Sequence, residues 1–574
     1  MHKYPNYGNF DLDPKIKIAG HPGAVGDCAE RLRASVTAGA RVFAFVLYPG
    51  AYKADAMRLA ESVGAAVVDA DAARLPQTEI DRMFRDNLTD DRVFGVMTTR
   101  RLEACFDEKM FETLRADIRA EGERPVCVVG VGAALLCPDA DKIWYFDITR
   151  WETQLRFRKG AGTWLFDDAI APQLTKYKAG FFVEWRLADR HKVEIMRKVA
   201  VWVDANRPDV LRCLSGEAFF GALSQTARKP FRMQPYYDPS VWGGQWIKRA
   251  LGLTAADNYG WSFDGVPEEN ALKFDFDGDE VVFPAMDLVK AFPEALLGGR
   301  VYGRFGAEFP IRFDLLDTFE GGNLSLQVHP LTGYIQETFG MHYTQDESYY
   351  ILDAGEESYV YLGVKEHADP EKLRDALERA QAGEGFDAMR FVNKIPVKMH
   401  DHVLIPAGTV HCSGKDALVL EISATPYIFT FKLWDWDRLG LDGRPRPVHI
   451  GHGMKNIQFG RDTKWVEREL IHRAEVLSEE AGAKTERTGL HRYEFIETRR
   501  YTLTGEMTVS AADGVTVVNL VDGARGLIRS ADGSFPPQEI HYAETFIIPA
   551  GAGDFVLAAP DGERVMFIAA SVRG

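Results

Sequence analysis

Two strings in the second half of the chain decide its fold: LSLQVHP at 324–330 and IPAGTVHCSGKDALVLEIS at 405–423. Apolar and polar residues alternate in both, and a Pro or a Pro–Gly turn interrupts each run. Alternation with a period of two is the mark of a strand with one buried face. The neighbouring strings ESYYILD (347–353), SYVYLGV (358–364) and FTFKLW (429–434) have the same style and are separated by Gly, Asp and Pro. Short strands at this spacing point to a β-barrel or sandwich. One helical insertion, PEKLRDALERAQAG (370–383), interrupts them.

Toward the carboxyl end the β style repeats in GEMTVSAADGVTVVNLVDGARGLIRS (505–530) and ETFIIPAGAGDFVLAAP (544–560). The string IPAG occurs twice, at 405–408 and 548–551, which suggests two related β domains. Toward the amino end the Pro-, Gly- and aromatic-rich stretch RKPFRMQPYYDPSVWGGQW (228–246) marks a boundary. Before it, apolar runs alternate with helical patterns. RVFAFVLYP (41–49), AAVVDA (65–70), DRVFGVMTT (91–99) and RPVCVVGVG (124–132) read as strands. KADAMRLAESVGA (53–65) and MFETLRADIRA (110–120) read as helices. This alternation predicts an α/β layered domain with a mainly parallel sheet. The expected domains are 1–227, 228–465 and 466–574.

The chain has 574 residues and a net charge of −16, from 84 acidic and 68 basic side chains. That balance argues against nucleic acid as a general partner and suits a protein that handles small molecules. No apolar run reaches the ~18 residues of a membrane span, and the start MHKYPNYGNFDLDP lacks an apolar signal region. The six cysteines form no CxxC pair. We expect a reduced, cytoplasmic protein with no membrane partner; nothing in the sequence sets its oligomeric state.

Gln327 and His329 share one strand face. Glu347 opens an alternating segment, and His411 follows the PAGT turn. Histidine, carboxylate and amide oxygen together suit an open site for a divalent ion such as Zn²⁺. Each residue also has a plain structural reading, and His342, His400 and His402 are further candidate ligands.

These residues lie in strings that resemble the class I mannose-6-phosphate isomerases. LSLQVHP is similar to that family's LSxQVHP signature and VWGGQWIK (241–248) to its WGG motif. ESYYILD resembles its glutamate-bearing strand, and IPAGTVHCSGKDALVLEIS its final histidine turn. KLWDWDRLGLDGRPRPVHI (432–450) is similar to its LYDYDR…GxxRELHI stretch. VDGARGLI (521–528) and FIIPAGAGDFVL (546–557) resemble its second cupin. The resemblance covers about residues 230–574, in the family's order. It implies two cupin-like β-barrel domains and one Zn²⁺ per chain, held by Gln327, His329, Glu347 and His411. It also implies reversible conversion of an aldose 6-phosphate to a ketose 6-phosphate through an enediol. Lys432 and Glu421 would then serve catalysis, and Ser325 and Arg438 would bind substrate. Two positions depart from the pattern: Lys432 replaces the family's Arg, and the neutral Gln345 replaces a Lys. Lysine lacks the planar fork of arginine. A second reading is therefore a sugar-phosphate-binding regulator with a retired isomerase barrel.

The amino-terminal half resembles nucleoside-kinase-like α/β folds but lacks their phosphate loop; no GxxxxGK[ST] occurs. VVGVG (128–132) contains GxG without a third glycine. Arg150, Glu152, Arg156, Arg158, Arg186, Asp189, Arg190, His191 and Lys192 lie among aromatics, as an anion site or as a salt-bridged face. A third reading is a bifunctional enzyme with a nucleotide- or phosphate-binding amino-terminal domain.

Overall fold

The computed structural model describes residues 9–574 apart from 169, 209, 425–428, 441–442, 444–445, 490 and 512. Parts of the amino-terminal string, of GLDGRPR (440–446) and of the segment around 512 therefore lie outside the described residues. The chain forms two compact units. One comprises 15–225 and 271–291; the other comprises 1–14, 226–270 and 292–574. The return of 271–291 to the first unit has no punctuation in the sequence that announces it.

The first unit is built on a seven-stranded sheet. Its five parallel strands are Ala66–Asp69, Val126–Gly130, Val42–Leu47, Lys142–Asp147 and Val199–Asp204, in that spatial order. Arg212–Ser215 and Gly26–Asp27 extend it in antiparallel sense. Strands covered on both faces read as continuous apolar runs, as in VFAFVL and VCVVG. Phe43, Phe45, Val129, Trp144 and Phe146 pack together on one face with Leu32 and Leu59 of the helices Cys28–Thr37 and Lys53–Glu61. On the other face Trp202 stacks on Phe219, ring centroids 4.0 Å apart.

One predicted strand is absent: residues 91–99 are irregular. Their backbone groups are satisfied elsewhere. The Asp91 carboxylate accepts from the Val93 and Phe94 N–H groups, Val96 N–H donates to Asn87 O, and Thr98 N–H donates to Phe182 O. A segment whose hydrogen bonds go to helices has none left for a ladder.

The second unit contains two pairs of antiparallel sheets. The first pair is six-stranded, running from His402–Ile405 to Tyr236–Asp238, and five-stranded, running from Val392–Pro396 to Phe431–Trp434. The second pair, near the carboxyl end, is six- and four-stranded. Among the described residues none of these sheets closes into a barrel, so the expected barrels are corrected to open sheets. Pro330 and Pro406 lack the N–H that a continued ladder needs, and the register shifts at Phe263/Gly265, Ile351/Asp353 and Tyr361/Val364. Bulges of this kind bend strands and end pairing. The helical insertion is present as Pro370–Gln381, with Asp369 accepting from the Glu371 and Lys372 N–H groups at its start.

The WGG motif works by close approach. Gly244 N–H donates to Asp317 O at 2.8 Å and to Tyr259 O at 3.0 Å, and a Cβ there would overlap the Asp317 carboxylate. Gly244→Ala should lower unfolding stability by about 1–3 kcal/mol, the usual cost of overpacking. Gly303→Ala, where an added Cβ meets nothing, should be neutral or slightly stabilising. Paired urea titrations check both.

Candidate metal centre

The site is assembled by strand register. Gln327 lies opposite His411 on one side and opposite Lys432 on the other, within the five-stranded sheet. Directly paired residues share a face, so Gln327, His411 and Lys432 form one row, and His329 follows two residues after Gln327. Glu347 opens a strand of the six-stranded sheet, opposite Ser423 and Ile405. It reaches the histidines from the other sheet of the pair. His329 Nε2 is 2.6 Å from Glu347 Oε2, and His411 Nε2 is 3.0 Å from the same oxygen. One nitrogen or oxygen from each of the three residues lies within 4.8 Å of the others, and all three residues are buried.

The donor chemistry fits a cation. His329 Nδ1 lies 2.7 Å from Phe429 O, and His411 Nδ1 lies 2.9 Å from Thr409 O. With Nδ1–H donated to a carbonyl, each ring presents its Nε2 lone pair. Two lone pairs then face one carboxylate oxygen, an arrangement that a divalent ion satisfies. Burial, partly offset by Glu347, pushes His329 below the usual histidine range and favours the neutral form a ligand needs. Burial raises Glu347, and positive charge at His411 and His329 brings it back below the ordinary range; with those rings neutral, a bound cation would supply that charge instead. The Gln327 amide lies 3.1 Å from His411 Nε2 through its nitrogen, while its Oε1 accepts from Ser325 Oγ at 3.1 Å. Half a turn of the amide exchanges these two atoms and brings the oxygen to the cluster.

The PAGT turn that delivers His411 is clamped by residues that do not stand out in the sequence. Arg461 Nη1 donates to Pro406 O, Ala407 O and Thr409 Oγ1, each at 2.6 Å. Asp346 Oδ1 accepts from Ala407 N–H at 2.9 Å, and Gly408 N–H donates to His329 O at 3.0 Å. Asp346 and Glu347 are both buried.

Other named residues separate into groups. Ser325 is buried and engages Gln327. Lys432 stands in the same row as Gln327 and His411 and is half-buried; burial, with Arg446 and Arg438 adding to it, pulls its ammonium down to about 7. Arg438 and Arg446 both pair with Asp435, at 2.6 and 2.7 Å. Glu421 lies on the other sheet, opposite Tyr349 and Asp314, and accepts from Ser423 Oγ at 2.9 Å. Burial, Asp314 and Glu347 raise it well above the carboxylate range. Arg312, on the same face as Glu421, donates to Asp314 at 2.9 Å. In IRFDLLD (311–317), charges at 312 and 314 within an apolar strand were the available signal. Gln345 Oε1 accepts from Phe429 N–H.

Among the described residues, His329, Glu347 and His411 form the one such group of possible metal ligands. Among the described residues no counterpart accompanies the second IPAG string. Within the polar group at 150–192, Arg156 donates to Glu152, Gly50 O and Ala205 O, Lys192 lies 2.5 Å from Asp147, and Arg190 donates to Thr98 O and Arg100 O.

This chain is 24% identical over 338 residues to the mannose-6-phosphate isomerase ManA of Bacillus subtilis, covering 57% of this chain and 96% of the relative. It is 27% identical over 237 residues to the mannose-6-phosphate isomerase of Streptococcus mutans, covering 41% and 69%. The chain contains a mannose-6-phosphate isomerase-like region. A solved mannose 6-phosphate isomerase from Bacillus subtilis aligns with a TM-score of 0.48 and 19% identity, over 60% of this chain and 99% of that one. Outside the isomerase-like region, residues 26–228 match a domain of unknown function, DUF8485. Among the described residues no helix is long and apolar enough to cross a membrane.

Within the isomerase-like region, His342, His400 and His402 are not part of the metal-facing group. His402 Nδ1 lies 3.0 Å from Thr488 Oγ1, and burial, with Arg500 adding to it, pushes its pKa down to about 3. It stays neutral in the fold, whereas the unfolded chain protonates it near 6.5. Stability therefore falls as pH drops below about 6.5, by about 3 kcal/mol from this residue at pH 4. His402→Gln should flatten the stability profile between pH 6.5 and 4, measured by denaturant titration at each pH.

Proposed function

We propose that the isomerase-like region is a metal-dependent aldose–ketose isomerase for a sugar 6-phosphate, converting mannose 6-phosphate to fructose 6-phosphate through an enediol. His329, Glu347, His411 and Gln327 hold one Zn²⁺ per chain. The observation that carries this reading is the convergence of two backbone-oriented histidine Nε2 atoms on Glu347 Oε2. Bound Zn²⁺ supplies Lewis acidity toward the substrate carbonyl. Lys432 presents positive charge to the developing oxyanion. Glu421 holds a proton at its carboxyl group and orients the proton shuttle between C1 and C2. Arg438 binds the phosphate, and Ser325 adds a hydroxyl near it while fixing the Gln327 amide.

The same proposal divides the chain at about 227 and 465, into an α/β domain, a metal-binding cupin-like domain and a second cupin-like domain. It places the protein in the cytoplasm, in keeping with its six free cysteines. One observation favours the regulator reading: Gln345 is neutral and its amide is engaged by Phe429, so the pocket lacks one expected charge.

Zinc content and mannose 6-phosphate turnover should be measured on one purified sample. Zinc with turnover is expected and eliminates the regulator; a folded, zinc-loaded sample that turns over no aldose 6-phosphate sinks the isomerase. His411→Ala should weaken zinc binding by about 100-fold or more while circular dichroism stays native. Unfolding with unchanged zinc per folded molecule would refute the ligand assignment. Because Lys432 loses its proton near pH 7, kcat/KM should fall as pH rises through 7. Lys432→Arg keeps its charge and should move that falling limb upward; an unchanged profile would remove Lys432 from the charge-bearing role.

A further inference from the structure

The α/β unit has a cavity of about 490 Å³ at the carboxyl ends of its parallel strands. Its walls come from the segments after Val42–Leu47, Ala66–Asp69 and Val126–Gly130, and from the helix Arg150–Arg158 that follows Lys142–Asp147. In spatial order these strands run second, third, first, fourth, fifth. The chain leaves the first strand toward one edge of the sheet and the fourth toward the other. Open α/β sheets bind ligands in the crevice where neighbouring connections diverge in this way. The volume falls in the range of small-molecule sites, about 300–1,000 Å³.

The polar groups in the cavity select the ligand. Lys53 Nζ lies 2.8 Å from Asp69 Oδ1 and 2.7 Å from Asp71 Oδ2. Asp71 Oδ1 also accepts from Val131 N–H at 3.0 Å, and a Cβ at Gly130 would lie 2.8 Å from that oxygen. A carboxylate therefore fills the GxG turn, where a phosphate would otherwise sit. Arg156 donates from Nε, Nη1 and Nη2 to Glu152, Gly50 O and Ala205 O, which holds the 48–53 loop rather than a ligand. Arg74, also in the lining, donates to Trp164 O. That leaves Lys53 with half-exposed Asp69 as the donor–acceptor pair for a ligand, beside the aromatic side chains of Tyr52, Phe157 and Trp164. Adjacent hydroxyls each donate and accept one hydrogen bond, and the C–H face of a sugar packs on an aromatic ring.

We infer that this cavity binds a sugar ring through vicinal hydroxyls on Lys53 and Asp69, with its apolar face against Trp164. The ring is either that of a free or phosphorylated sugar or the ribose of a nucleoside.

Saturation-transfer NMR on the full chain tests this, with His411→Ala present so that the metal-centre site does not contribute. The probes are mannose, mannose 6-phosphate and adenosine. The expected result is transfer to ring protons that falls at least tenfold with Asp69→Asn, an isosteric change, and with Lys53→Met. Transfer to mannose and its phosphate alike identifies a sugar source, and transfer to adenosine alone identifies ribose; both support the inference. Transfer to no probe, or transfer that both variants leave unchanged, overturns it.

Discussion

The isomerase-like region depends on one contact set: two imidazoles fixed through Nδ1 by backbone carbonyls, with both Nε2 atoms turned to one carboxylate. The carbonyls belong to Phe429 and Thr409, so ring orientation is set by the main chain. Main-chain anchoring leaves the rings few alternative tautomers and aims their lone pairs before any ion arrives. The cost is concentrated burial of ionisable groups, offset by placing opposite tendencies side by side. His329, pushed toward its neutral form by burial, sits against Glu347, while burial and the neighbouring carboxylates raise Glu421 next to it.

The contacts around the PAGT turn explain how a loop positions His411 in a strand-built cluster. A turn ending in His411 would be mobile without partners. Arg461 and Asp346 tie the carbonyls and one N–H of that turn to the rest of the fold. Gly408, at φ +89°, gives the turn a conformation that other residues rarely adopt. On the opposite side of Gln327, Lys432 enters through strand pairing, which places its side chain beside Gln327 without a loop of its own.

The α/β unit follows another logic. Its charged residues look like an anion site in sequence, yet most are spent on one another and on backbone carbonyls. Buried pairing of this kind holds loops and helices in place at a desolvation cost that only complete satisfaction offsets. Of the charges that line its cavity, Arg156 is spent on Glu152 and on backbone carbonyls, whereas Lys53 and Asp69 lie outside the dense run at 150–192.

The sequence by itself determined the periodicities, and through them most elements. The strand runs at 42–47, 66–69 and 126–130, the capped helix at 370–381, and the shared face of Gln327 and His329 are all local consequences of alternation, turn residues and caps. The ordered motifs also pointed to the isomerase family. Tertiary structure decided the rest. It opened the expected barrels into paired sheets and removed the strand expected at 91–99, because both outcomes depend on where distant N–H and C=O groups find partners. It set Glu347 against His329 and His411 across two sheets, and Lys432 and Glu421 on separate sheets, because register is fixed by pairings far apart in the chain. It also showed Arg461 and Arg312 as buried organisers, since a charge's role follows from what surrounds it, and sequence spacing carries no record of that.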